Sequence, residues 1–215
     1  MHIMLTKKNT QSSCPSLQLF QALCLGFALL QSPQAFADYK GENPMQESRE
    51  SAAAMLKELG GKLQAALKDG GPVKALGVCN IEAPDIAMRI SDEEKITIRR
   101  ISHKPRNPTL GVPNDWQTKA LKLFDEALAR GDKPADIEFV EAVKAGSGSR
   151  MELRFAKPIL MQPQCTACHG TPEQISPEVK AKLDELYPND KAVGFKPGEL
   201  RGAIVVSRFI GYNNN

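Results

Sequence analysis

The order of elements along the chain predicts an α+β protein. Three observations carry that expectation. Apolar residues recur at spacings of three and four over residues 46–68 and again over 114–131. β-Branched residues crowd Lys95–Ile101, and Glu138–Lys144 and Met151–Lys157 flank the Gly-rich Ala145-Gly146-Ser147-Gly148-Ser149 as a hairpin would. A final run, Arg201–Ile210, holds Ala203-Ile204-Val205-Val206 and reads as a central strand. Helices, strand, helix, hairpin, helix and strand fit neither a parallel sheet nor a helix bundle.

Residues 1–37 read as a secretory signal. Lys7 and Lys8 form the charged start, Leu17 to Leu30 is mostly apolar, and Ala35-Phe36-Ala37 is a cleavage site before Asp38. The competing reading is a retained anchor. The apolar run is short for a span of roughly 20 residues and is interrupted by Gln21, which favours cleavage and a soluble periplasmic product. Cys24 does not mark a lipoprotein, because Gln21-Ala22-Leu23 lacks the usual preceding pattern.

Residues 38–47 read as a flexible lead-in, 48–210 as the domain and 211–215 as a frayed tail. In the first helix Leu56, Leu59, Leu63, Ala66 and Leu67 form a stripe, either core or a dimer seam, which Gly60-Gly61 is expected to bend or break. Pro84 fits the first turn of the next helix, which places Cys79 at the end of a short helix or in the bend between. Ser102 to Asn114 is a Pro-rich loop. Asn114 and Gln117 form a reciprocal cap for a helix that carries Trp116, Leu121, Phe124 and Leu128 and stops at Gly131. Ser176-Pro177-Glu178 opens a short helix, and Tyr187 to Gly198 is a loop.

The chemistry concentrates in Gln164-Cys165-Thr166-Ala167-Cys168-His169-Gly170. Cys165, Cys168 and His169 spell C-x-x-C-H, the attachment signature of c-type haem. Two thiols three positions apart can each form a thioether with one vinyl group of a porphyrin. The histidine after the second thiol can then supply an imidazole nitrogen to the iron. Zinc is an alternative, with Cys79, Cys165, Cys168 and His103 as a Cys₃His set, and a redox dithiol or disulfide is another. The adjacent histidine and the exported context favour one haem c per chain. Cys79 is then left over, and a buried free cysteine is often only a small hydrophobe.

Charge excludes some partners. The 215 residues include 28 basic and 25 acidic side chains, and loss of Lys7 and Lys8 leaves 26 against 25, net +1. That gives no case for nucleic acid or for long-range steering.

Further stretches carry a resemblance: Val78-Cys79-Asn80 with Ala83-Pro84-Asp85-Ile86-Ala87; Lys104-Pro105-Arg106-Asn107-Pro108 with Pro113-Asn114-Asp115-Trp116; Tyr187-Pro188-Asn189-Asp190-Lys191-Ala192 with Gly194-Phe195; and Gly198-Glu199-Leu200-Arg201-Gly202-Ala203. Together, over about residues 45–210, the chain resembles the PAS-like c-type haem domain family. That family includes a cyanobacterial photosystem-associated haem protein and input domains of bacterial signalling proteins. The resemblance implies a PAS-like antiparallel sheet flanked by helices. It also implies a haem with His169 on one side and, at the position of Cys79, a cysteine thiolate on the other. His103 stands where the family pattern is usually apolar, and it is a rival ligand.

Fold does not settle role. The expectations are a redox- or gas-responsive sensor, with a periplasmic electron carrier as the alternative. Either would work with a redox or signalling protein not identifiable from sequence, and the N-terminal helix is a possible dimer seam. An enzyme such as a peroxidase is not expected, since a haem held on both sides leaves no open site and no distal acid–base pair is evident.

Overall fold

A computed structural model describes residues 43–147 and 150–210. The signal-like segment, residues 38–42 of the lead-in and the C-terminal tail lie outside the described residues. Helix α1 spans Pro44–Gly77. It starts earlier than the periodicity predicts because Asn43 caps it, its side chain accepting from the Gln46 N–H at 3.1 Å, with Pro44 in the first turn. Gly60 and Gly61 do not break it. The break comes at Gly70 and Gly71, where Gly71 adopts φ +67 just before Pro72, a left-handed conformation that favours glycine. Of the stripe, Leu59 and Ala66 are buried, Leu63 and Leu67 pack partly buried against the same core, and Leu56 is exposed; Ala52 and Met55, outside the stripe, are buried with them.

The chain then forms a single π-helical turn, Val78–Glu82, where the sequence predicts a helix end or bend. It runs directly into α2, Ala83–Glu94, with Pro84 in its first turn. Strand β1 is Thr97–Ile101. Helix α3, Asp115–Ala129, carries the expected capping box of Asn114 and Gln117 and stops before Gly131, at φ +84. Strands β2 (Phe139–Lys144) and β3 (Met151–Leu160) form the hairpin. Helix α4 is the single turn Thr166–His169, α5 is Pro177–Leu186 and β4 is Leu200–Ile210.

The four strands form one antiparallel sheet in the order β1-β4-β3-β2. The apolar β4 is interior, as predicted. Pro158 of β3 lies beyond Ala156, where β2 pairing starts with Phe139, so its missing N–H costs no bond on that side. Alternation along the strands builds two cores. Ile98, Phe155, Ile204 and Val206 pack against α1 and α2. Ile101, Ala156, Ala203 and Val205 pack with Leu121 and Phe124 of α3. Each large apolar side chain buried this way contributes about 1.5–3 kcal/mol.

One irregularity matters for the site. The β3–β4 register runs Ile159↔Gly202 and then Leu160↔Leu200, leaving Arg201 as the extra residue of a bulge. Such a bulge re-aims a side chain. Gly202 allows it, since a Cβ there would sit 2.1 Å from the Ile101 carbonyl oxygen.

Candidate functional site

The C-x-x-C-H stretch is a compact double turn. Pro163–Cys165 forms a 3₁₀ turn that passes into α4. The Cys165 N–H donates to the Gln162 carbonyl at 2.9 Å, and the Gly170 N–H donates to that of Thr166 at 2.8 Å. Three positions apart on a helical turn, Cys165 and Cys168 share a face. Both thiols, and that of Cys79, are free and partly buried. Cys165 packs beside Met161, Ala192 and Phe195. Cys168 packs beside Leu76, Val179, Leu183 and Tyr187, where burial pushes its thiol up to about 11 against the pull of Arg106.

The loop after α5 folds back over this turn. The Gly194 N–H donates to the Gly170 carbonyl at 2.7 Å and the Phe195 N–H to that of His169 at 2.9 Å. The Ala192 carbonyl lies 2.7 Å from His169 Nδ1. A carbonyl can only accept, so the proton is on Nδ1 and the lone pair is on Nε2. The Phe195 ring stands edge-on to the imidazole, with centroids 6.4 Å apart at 87°. Burial, then the positive charges of Arg201 and Arg106, hold His169 well below the usual histidine range, with the Ala192 hydrogen bond opposing them. The result is a neutral imidazole of fixed tautomer, the form that ligates metals.

Arg106 braces the assembly. Its Nε pairs with Asp190 at 3.0 Å, and the two side chains are only 6% and 11% exposed. Its Nη2 donates to the Cys168 carbonyl and, at 3.3 Å, to that of Ala192. The other carboxylate oxygen of Asp190 accepts from the Ala192 N–H at 2.7 Å. One ion pair thus fixes both the C-x-x-C-H turn and the carbonyl that orients His169. Gly170 is equally constrained, since a Cβ there would meet the Thr166 carbonyl oxygen at 2.6 Å.

Cys79 lies on the π-helical turn, on the Leu76 side of the site. Its thiol is half-buried, and it follows Leu76, which packs in the cluster that Cys168 joins. A small cleft of about 200 Å³ opens next to it, lined by Asn80, Tyr187 and Pro188 among others. A larger cleft of about 710 Å³ touches Val78 and Ile81 of the same turn but is lined by no thiol or imidazole. His103 does not join the group: its Nε2 lies 3.2 Å from Asp125 of α3, and both side chains are exposed. The Cys₃His arrangement is therefore not assembled, and among the described residues no three His, Cys, Asp or Glu side chains are grouped to hold a metal ion.

The C-x-x-C-H spacing points to the thiols and the imidazole, whereas no pattern in the sequence gives a role to Arg106, Asp190, Ala192, Phe195, Gly170 or Arg201. All but Gly170 lie in the stretches that carried the family resemblance, and Gly170 closes the haem motif itself.

Fold and site together define an α+β domain with one neutral, tautomer-fixed histidine on the same turn as two free thiols. The chain belongs to the Tll0287-like family, whose sequence model matches residues 30–208. Its fold is similar to that of the cyanobacterial haem protein Tll0287. That match has a TM-score of 0.58 and 23% sequence identity, and it covers 78% of this chain and 96% of that one. No curated protein matches the chain.

Proposed function

We propose that the chain is an exported c-type haem protein with a redox- or gas-responsive role. One observation carries the reading: Cys165, Cys168 and a tautomer-fixed His169 share one partly buried turn, braced by the Arg106–Asp190 pair. The similarity to a structure titled as a haem protein supports it. The donor set fits the group. Each thiol of Cys165 and Cys168 can add its S–H across one vinyl group, forming a C–S bond. Nε2 of His169 carries the lone pair an iron needs, and Cys79 would be the second ligand, as a thiolate. His103, exposed and 3.2 Å from Asp125, is the rival ligand that the variants below test.

When bound, the haem supplies an iron that exchanges one electron. The protein's part is to set which oxidation state is favoured. An anionic sulfur from Cys79 stabilises the ferric state and lowers the potential. The Ala192 carbonyl raises the basicity of His169 in the same direction, while Arg106, sharing that carbonyl, tempers it. Cys79 would be the ligand able to differ between the two oxidation states, which is the two-state element that sensing requires. The alternative, an electron carrier, keeps both ligands in both states.

Absorption and EPR spectra of both redox states, with and without CO, test this. Cys79→Ser is expected to abolish the low-spin ferric signal of the native protein and His103→Ala to leave it intact. CO binding to the ferrous wild type supports a sensor, and complete refusal of CO supports a carrier. A signal untouched by Cys79→Ser but lost in His103→Ala would show a bis-histidine iron and overturn the thiolate assignment.

A further inference from the structure

The neighbourhood of His169 holds more positive charge than the protein itself balances. Arg106 is 6% exposed, and its Nη1 is buried with no hydrogen-bond partner among the described residues. Nε of Arg201 is buried and unpartnered in the same way. The only hydrogen bond the Arg201 side chain makes among the described residues is a long one, 3.4 Å from Nη1 to the Lys104 carbonyl. Arg100, on the same strand face as the core residue Ile98, has no hydrogen bond or carboxylate partner among the described residues. The charges of all three reach His169. Asp190 is the carboxylate that faces them, and it is already committed to Arg106 and the Ala192 N–H. Lys104, the next cation, is occupied by the Val193 carbonyl and the Phe195 ring.

Buried donors without partners cost about 1–3 kcal/mol each, more when charged, and uncompensated buried cations are costlier still. A fold that places Arg201 there by a bulge, with Gly202 cleared to permit it, accepts that cost for a ligand. The required ligand is anionic, planar-forked and sited next to His169. Guanidinium groups match carboxylates in geometry and charge.

We propose that Arg201 Nε, Arg106 Nη1 and Arg100 form a cradle for the two propionate carboxylates of the haem. Asp190 is committed to Arg106, and the propionates would give the buried, unpartnered Arg201 Nε and Arg106 Nη1 their acceptors. The assignment rests on the haem reading above. It makes these arginines positioning residues that would anchor the propionates near His169 and hold the potential up against the thiolate.

The test uses the full-length, haem-loaded protein and resonance Raman spectroscopy of the ferrous state, where propionate-bending bands report hydrogen bonding. Arg201→Gln and Arg100→Gln are each expected to shift a propionate band toward its solvated position and to lower the midpoint potential, with haem still covalently bound. Arg201→Lys is expected to keep the potential near wild type by retaining the charge. Bands unmoved in both glutamine variants, with haem retained, would overturn the cradle and leave the haem assignment standing. Wild-type protein with no haem at all would overturn both.

Discussion

Asp190 is the side chain whose loss the site should tolerate least. Asp190→Asn keeps the shape and removes the charge. One oxygen of Asp190 accepts from the Ala192 N–H at 2.7 Å and the other from Arg106 Nε at 3.0 Å. An asparagine can serve the first only by turning its NH₂ toward the guanidinium, where donor meets donor. Arg106 is then a buried cation without its carboxylate, beside Arg201 and Arg100. Removing one partner of a buried pair costs about 3–5 kcal/mol. For a chain of this size each kcal/mol moves the midpoint by about 2–4 °C, so a fall of roughly 6–20 °C is expected. Circular dichroism melts of wild-type and variant protein at neutral pH measure it. The exposed pair Lys182–Glu185 is the control, and Glu185→Gln should not move the midpoint measurably. An Asp190→Asn variant that melts within a degree of wild type would refute the reasoning, because it would mean that water or Arg106 itself relieves the unpaired charge.

Two further outcomes follow from the same geometry. Gly170→Ala must displace the Thr166 carbonyl, which a Cβ would approach to 2.6 Å; a loss of about 1–3 kcal/mol is expected, read in a denaturant melt, with an altered His169 environment read by NMR. Glu141 is held below its ordinary 4.5, first by the hydrogen bond from Lys119 and further by Arg154. The folded state thus binds that proton less readily than the unfolded chain. The stabilisation is full above pH 4.5 and lost as pH falls through the lower folded value, so Glu141→Gln should flatten the acid limb of a stability–pH curve.

Much of the fold is legible in the sequence, and the exceptions have causes. Caps and periodicity locate α2, α3 and α5, because Asn114 with Gln117 and Ser176 with Pro177 are local signals. The break in α1 falls at Gly70-Gly71 and not at Gly60-Gly61, because a glycine in a helix permits a turn without imposing one. Pro72 following Gly71 decides the matter. The π turn at Cys79 has no local signature: it continues one helix into the next, and only packing of Leu76 and Val78 selects it. At the site, residue types announce the thiols and the imidazole. Tautomer control comes from a backbone carbonyl, Ala192, which no side chain advertises. The roles of Arg106 and Asp190 depend on a contact between residues far apart in the chain. His103 looks like a rival ligand in sequence; in the fold its exposed ring lies 3.2 Å from Asp125 of α3, a contact the sequence does not advertise.

The central claim is a haem held covalently by Cys165 and Cys168. The most direct measurement is the intact mass, under denaturing conditions, of protein produced in cells with a c-type maturation system. The account requires a chain beginning at Asp38 and heavier by one haem, with Cys165→Ala plus Cys168→Ala returning it to the mass of the bare polypeptide. A wild-type chain that flies at its bare mass from a preparation containing extractable haem or stoichiometric zinc would contradict it.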